Sequence, residues 1–188
     1  MTVSSAQEYN EANMNRSFLI ISTLSFACAC GLQAQTANPL STEAKQAYTS
    51  VKNNLMRSAE KMPEENYGFK PSPEMRSFAE VLDHVADSQM RACSAALGEQ
   101  KSASSMAKSS KADVTAALRA AFDECDKAYD ALTDAAATEM VKSYRGERPK
   151  LGALMGNVSH DNEQYGILTV YMRLKGIIPP SSEAPKGK

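Results

Sequence analysis

The sequence contains no tryptophan and only two histidines, His84 and His160, in 188 residues. Any histidine chemistry must use these two positions, and no Ser-His-Asp arrangement is recognised around them. Aromatic residues are scarce, at 6%. Charge of one sign is lacking too: the net charge is −1, so no general pull toward nucleic acid or acidic membranes is expected. There is no basic stripe, no recognition-helix pattern and no internal repeat. The longest apolar run, Phe18 to Ala29, is too short for a comfortable membrane span.

What remains is 43% hydrophobic and 23% charged, which fits one globular domain with extras. Alanine is abundant, and apolar positions recur at three- and four-residue steps. That pattern predicts an all-α protein.

The N-terminus reads as a secretory signal peptide. Arg16 precedes the apolar run, and small and polar residues follow it through Gln35. Residues 1–34 are assigned to this segment, with cleavage after Ala34, although Leu32 is larger than the usual −3 residue. Met1 to Asn13 carries Glu8 and Glu11 and no basic residue, so Met14 is an alternative start. Cys28 and Cys30 stand in poor lipobox contexts, which favours an exported soluble form, periplasmic or secreted, over a lipid-anchored one. Removing the segment leaves a chain of about zero net charge with two cysteines, Cys93 and Cys125. In an oxidising compartment these either pair or remain two buried thiols.

Residues 35–180 form the expected domain. Leu40, Ala44, Tyr48, Val51, Leu55, Ala59 and Met62 predict a first helix over about 41–61, capped by Ser41 or Thr42 and stopped by Pro63. Three prolines and Gly68 make 63–76 a loop. Tyr67 and Phe69 are expected to anchor that loop to the core, with ligand contact as the alternative. Ser77-Phe78-Ala79-Glu80 is a capping box opening a second helix that Gly98 ends. His84 lies at the flank of its apolar face, a position that suits a ligand in an interhelical groove or a half-exposed surface histidine.

Gly98 to Lys111 is a polar connector. Its fourteen residues span about 45 Å, enough to return along a helix of about 30 Å. The second and third helices can then run parallel, in an up-down-down-up four-helix bundle, unless this stretch is a disordered surface loop. Val114, Leu118, Ala121, Phe122, Cys125 and Tyr129 mark the third helix. Residues 135–150 read as a connector with a turn at 144–149, including a short extended piece at most. The last helix, about 151–175, has two apolar faces. His160 and Gln164 are one turn apart on one of them. Residues 181–188 are expected to be disordered.

Two blocks resemble the DinB-like family. One is Lys61-Met62-Pro63-Glu64-Glu65-Asn66-Tyr67-Gly68-Phe69-Lys70-Pro71, leading to Leu82-Asp83-His84-Val85-Ala86-Asp87. The other is His160-Asp161-Asn162-Glu163-Gln164-Tyr165-Gly166, leading to Tyr171-Met172-Arg173-Leu174-Lys175-Gly176. The resemblance spans about 38–181 and is closest to exported members. It implies a four-helix bundle with a divalent metal, zinc or nickel, held by three histidines. One histidine comes from the second helix and two from an H-x-x-x-H pair on the fourth. Carried over by position, the metal ligands are His84, His160 and Gln164.

Gln164 departs from that pattern. An amide oxygen is a weaker and harder ligand than imidazole. Asp87, Asp161 and Glu163 are the carboxylates near enough in sequence to compensate. The resemblance implies a metal-dependent transferase or hydrolase acting on a small molecule. The competing reading is a non-catalytic binding or structural bundle with a degenerate site. No catalytic residue beyond the metal ligands is identified, and homodimerisation is left open.

Overall fold

The structure is a computed structural model, and it describes residues 38–103, 110–143 and 146–184. The expected signal peptide, cleavage point and alternative start lie outside the described residues. Helix α1 (Pro39–Lys61) forms where Ala44, Tyr48, Val51, Leu55 and Ala59 recur on one face, and all five are buried. Its start differs from the expected serine or threonine cap. Asn38 occupies the cap position without a side-chain bond, and Pro39 opens the helix. The Asp134 carboxylate, distant in sequence, accepts the Leu40 and Ser41 amides at 3.1 and 2.8 Å. Asn38 Oδ1 in turn accepts the Asp134 amide at 2.9 Å.

The loop after α1 is anchored as its aromatic residues suggest. Tyr67 is 1% exposed, donates to the Ala59 carbonyl at 2.6 Å and packs edge-on against Phe78. Phe69 meets Tyr171 in the same way. Helix α2 (Phe78–Ala96) begins with the expected capping box, Ser77 and Glu80 serving each other's end of the first turn. Gly98, at φ 81°, lets the chain turn so that the Glu99 amide reaches the Ser94 carbonyl at 2.8 Å. Helix α3 (Lys111–Asp130) is capped by Ser110. Helix α4 (Lys150–Leu174) closes at Gly176, φ 70°.

Between α3 and α4 the chain forms an antiparallel hairpin of β1 (Met140–Ser143) and β2 (Gly146–Pro149), with Val141 opposite Arg148. The described residues are therefore mostly helical, with four long helices and one small hairpin where a connector was expected. The strands are four residues each and largely exposed, so no apolar alternation announced them.

The core gathers Leu55, Leu82, Leu118, Phe122, Leu154 and Leu168, each at 1% exposure or less. Burying a side chain of this kind contributes about 1.5–3 kcal/mol. Tyr48 stacks on Tyr129 with centroids 4.0 Å apart. α2 packs most extensively on α3, and α4 lies against α1, α2 and the hairpin. That three-sided cover explains the two apolar faces of α4. Cys93 on α2 and Cys125 on α3 are joined by a disulfide, with Cα atoms 4.9 Å apart.

The end of the chain corrects another expectation. Pro180–Ser182 is a 3-10 turn. Tyr165 and Ser181 exchange hydrogen bonds at 2.8 and 2.9 Å, and Glu183 pairs with Arg57 and Lys61. The expected disorder does not begin at Ser181, and residues 185–188 lie outside the described set. Among the described residues no helix is long and apolar enough to cross a membrane.

Candidate functional site

Val81, Val85 and Ala86 bury one side of α2 and leave His84 half-buried at its edge. Across the contact, Val158, Asp161 and Tyr165 turn α4 inward and bring His160 to the same edge, with its side chain 14% exposed. The two Nε2 atoms stand 3.0 Å apart, with the rings inclined at 70°. At that separation both rings cannot be protonated without strong repulsion. One donates and the other accepts, or both offer lone pairs to a shared cation. Burial pulls His84 below the ordinary histidine value, helped by the positive charge of Arg76 and by His160 and Arg91. The neutral, ligand-competent form is thereby favoured.

The second nitrogen of His160, Nδ1, lies 3.4 Å from Asp161 Oδ1. Asp161 is fully buried. Burial pushes its carboxyl up to about 6, against the opposing effects of His160 and Gln89. Gln89 donates to Asp161 Oδ2, and Asn157 donates to Gln89 Oε1 at 2.6 Å. A polar chain therefore runs from the disulfide-bearing core to the histidine edge. Sequence reasoning did not find Gln89 or Asn157. The Asn157–Asp161 spacing, four residues on a helix, was the available signal.

Gln164 is 5% exposed, and its Oε1 has no hydrogen-bond partner. A buried acceptor left unmet costs about 1–3 kcal/mol. The three carboxylates considered as compensation are engaged or turned away. Asp87 pairs with Arg91 at 2.5 Å, Asp161 faces Gln89, and Glu163 is exposed.

These residues can be tested against a metal. Bonds of about 2.0–2.1 Å in a tetrahedral site place two nitrogens about 3.3 Å apart. The observed 3.0 Å needs only a slight opening. Among the described residues no group of three or more His, Cys, Asp and Glu gathers around a point. The donor set is thus two imidazoles, with the unmet Gln164 oxygen one helical turn beyond His160.

Beside His160 is a recess bounded by Ser88, Ala92, Arg148, Gly156 and Asn157. Arg148 comes from β2, inside the stretch read from sequence as a turn with at most a short extended piece.

A family model described as the DinB superfamily matches residues 47–168. A DinB-like protein from Bacillus cereus superposes with a TM-score of 0.63 at 17% identity, covering 74% of this chain and 95% of that one. A DinB-like protein from Bacillus subtilis gives 0.57 at 16% identity, covering 71% and 92%. A mycothiol-dependent maleylpyruvate isomerase gives 0.58 at 15% identity, covering 69% of this chain and 60% of that one. No curated protein matches the sequence. At these identities the likeness to the solved structures is one of fold.

Proposed function

The chain belongs to the DinB superfamily, and from that premise we propose that it is an exported divalent-metal protein acting on a small molecule as a transferase or hydrolase. In this reading His84 and His160 are the imidazole ligands and the Gln164 amide oxygen is the weaker third. The observation that carries it is the 3.0 Å approach of two imidazole nitrogens from different helices.

A bound zinc or nickel would supply Lewis acidity at an open position, where a water or thiol becomes nucleophilic near neutral pH. The chain's own residues prepare that position. Asp161 accepts from the Nδ1 side of His160, which leaves the Nε2 lone pair facing His84. Gln89 and Asn157 fix the Asp161 carboxylate. The thiol-dependent isomerase among the structural relatives makes thiol activation a reasonable form of this chemistry, within the same family reading.

The up-down-down-up order belongs to this reading as well. Lys111, at the start of α3, donates to the Glu60 and Met62 carbonyls at the end of α1, and the disulfide ties the far parts of α2 and α3. Both observations favour parallel α2 and α3. Export rests on the signal-like pattern of residues 14–34, and an oxidising compartment would maintain the disulfide.

A second reading is a non-catalytic bundle that binds a ligand or partner. The glutamine at 164 and, among the described residues, the lack of a third gathered imidazole, carboxylate or thiolate favour it. Metal analysis of protein purified without a histidine tag separates the two. The metal reading expects one zinc or nickel per chain, as purified or on titration. No stoichiometric metal and no uptake would leave the second reading.

A further inference from the structure

Arg148 sits on β2 opposite Val141 and is half-buried. Among the described residues its side chain makes no ion pair and no hydrogen bond. Its guanidinium lies along α4 at Gly152 and Gly156. A Cβ added at Gly156 would come 3.2 Å from Nη1, and one at Gly152 would come 3.7 Å from Nη2. The two glycines, one turn apart, let the cation lie close to the helix one turn before His160. Arg148 and His160 line the same recess, with Ser88, Ser143 and Asn157 as its other polar groups.

A half-buried guanidinium without a counter-charge has lost part of its hydration and gained no anion in return. Its planar fork matches the two oxygens of a carboxylate. The recess is small, about 20 Å³, which is room for a group of one or two water-sized atoms. One cation balances one carboxylate. A phosphate dianion would bring more oxygens than the recess can meet, since the Asn157 Nδ2 protons are directed to Gln89 and Asp161 and the Ser143 hydroxyl donates to the Gly146 carbonyl.

We propose that Arg148 is the anion-reading group of this site, holding the carboxylate of a small organic acid whose other end faces His84 and His160. The placement of the reactive end rests on the metal reading above, whereas the carboxylate contact itself needs no metal. Arg148 is then a binding residue that sets substrate class and orientation.

The test uses the full, metal-free chain, isotopically labelled, titrated with acetate, succinate and inorganic phosphate. Signals of the Gly156 amide and the Arg148 Nε–H are followed by nuclear magnetic resonance. Saturable shifts with succinate are expected at both, with phosphate binding no tighter than acetate. R148K should weaken succinate binding about tenfold, and R148Q should abolish it. Zinc affinity should stay within about threefold of the parent in both variants. Matching thermal melts for R148Q and the parent guard against misfolding as the cause. Absence of a saturable shift, or binding undiminished in R148Q, would overturn the proposal. Succinate binding that persists in a chain unable to take up metal refutes the metal reading alone. Metal uptake without succinate binding refutes the Arg148 assignment alone.

Discussion

His84 Nε2 and His160 Nε2 meet at 3.0 Å across the packed edge of α2 and α4, while Gln164 leaves a buried oxygen unmet one turn further along. In the proposed metal reading the first relationship supplies the two imidazole ligands, and the second marks the position that limits metal affinity.

Restoring imidazole at that position should strengthen metal binding. Gln164→Ala removes the amide oxygen, and Gln164→His replaces it with a softer donor. Gln164→His is expected to raise zinc or nickel affinity at least tenfold, about 1.4 kcal/mol. Competition with a chromophoric chelator measures this. Equal affinity in all three forms would mean that residue 164 does not face the site.

The disulfide closes a loop across a sequence separation of 32. Loop-closure entropy assigns such a link about 3–4 kcal/mol. Replacing Cys93 and Cys125 together by alanine should therefore lower stability by about that amount in urea unfolding. A loss below about 1 kcal/mol would contradict a structural role for the link.

Glu124 provides a pH test away from the site. It is 5% exposed, and Lys101 and Lys127 approach its carboxylate at 2.8 and 3.0 Å. The hydrogen bond from Lys101, then that from Lys127, holds the carboxyl below its usual range. A depressed folded-state value stabilises at neutral pH, and the gain disappears as pH falls through that value. Glu124→Gln should cost about 1–2 kcal/mol at pH 7, softened by the exposure of both lysines. The difference from the parent should close toward pH 3. A difference independent of pH would assign the effect to packing.

Some of this was legible in the sequence. Ser77 and Glu80 announced the start of α2, Gly98 and Gly176 announced helix ends, and the spacing of Tyr48, Val51 and Leu55 gave the buried face of α1. His84 and His160 stood out because the chain has no other histidines. Gln89 and Asn157 did not, because a buried amide is recognisable only once its partner on the other helix is known. Arg148 was hidden for another reason. The hairpin strands are short and exposed, and the significance of Gly152 and Gly156 depends on a strand folding back over α4. The cap of α1 by Asp134 is likewise a long-range contact that no local pattern encodes.

The central claim is that two histidines on separate helices act as one metal site. Zinc affinity of the parent, His84→Ala, His160→Ala and the double variant tests it most directly. Each single change should weaken binding at least about tenfold, and the double change should add little, because residues that act as a unit are non-additive. Single variants that bind within about threefold of the parent, or losses that simply add, would contradict a shared site.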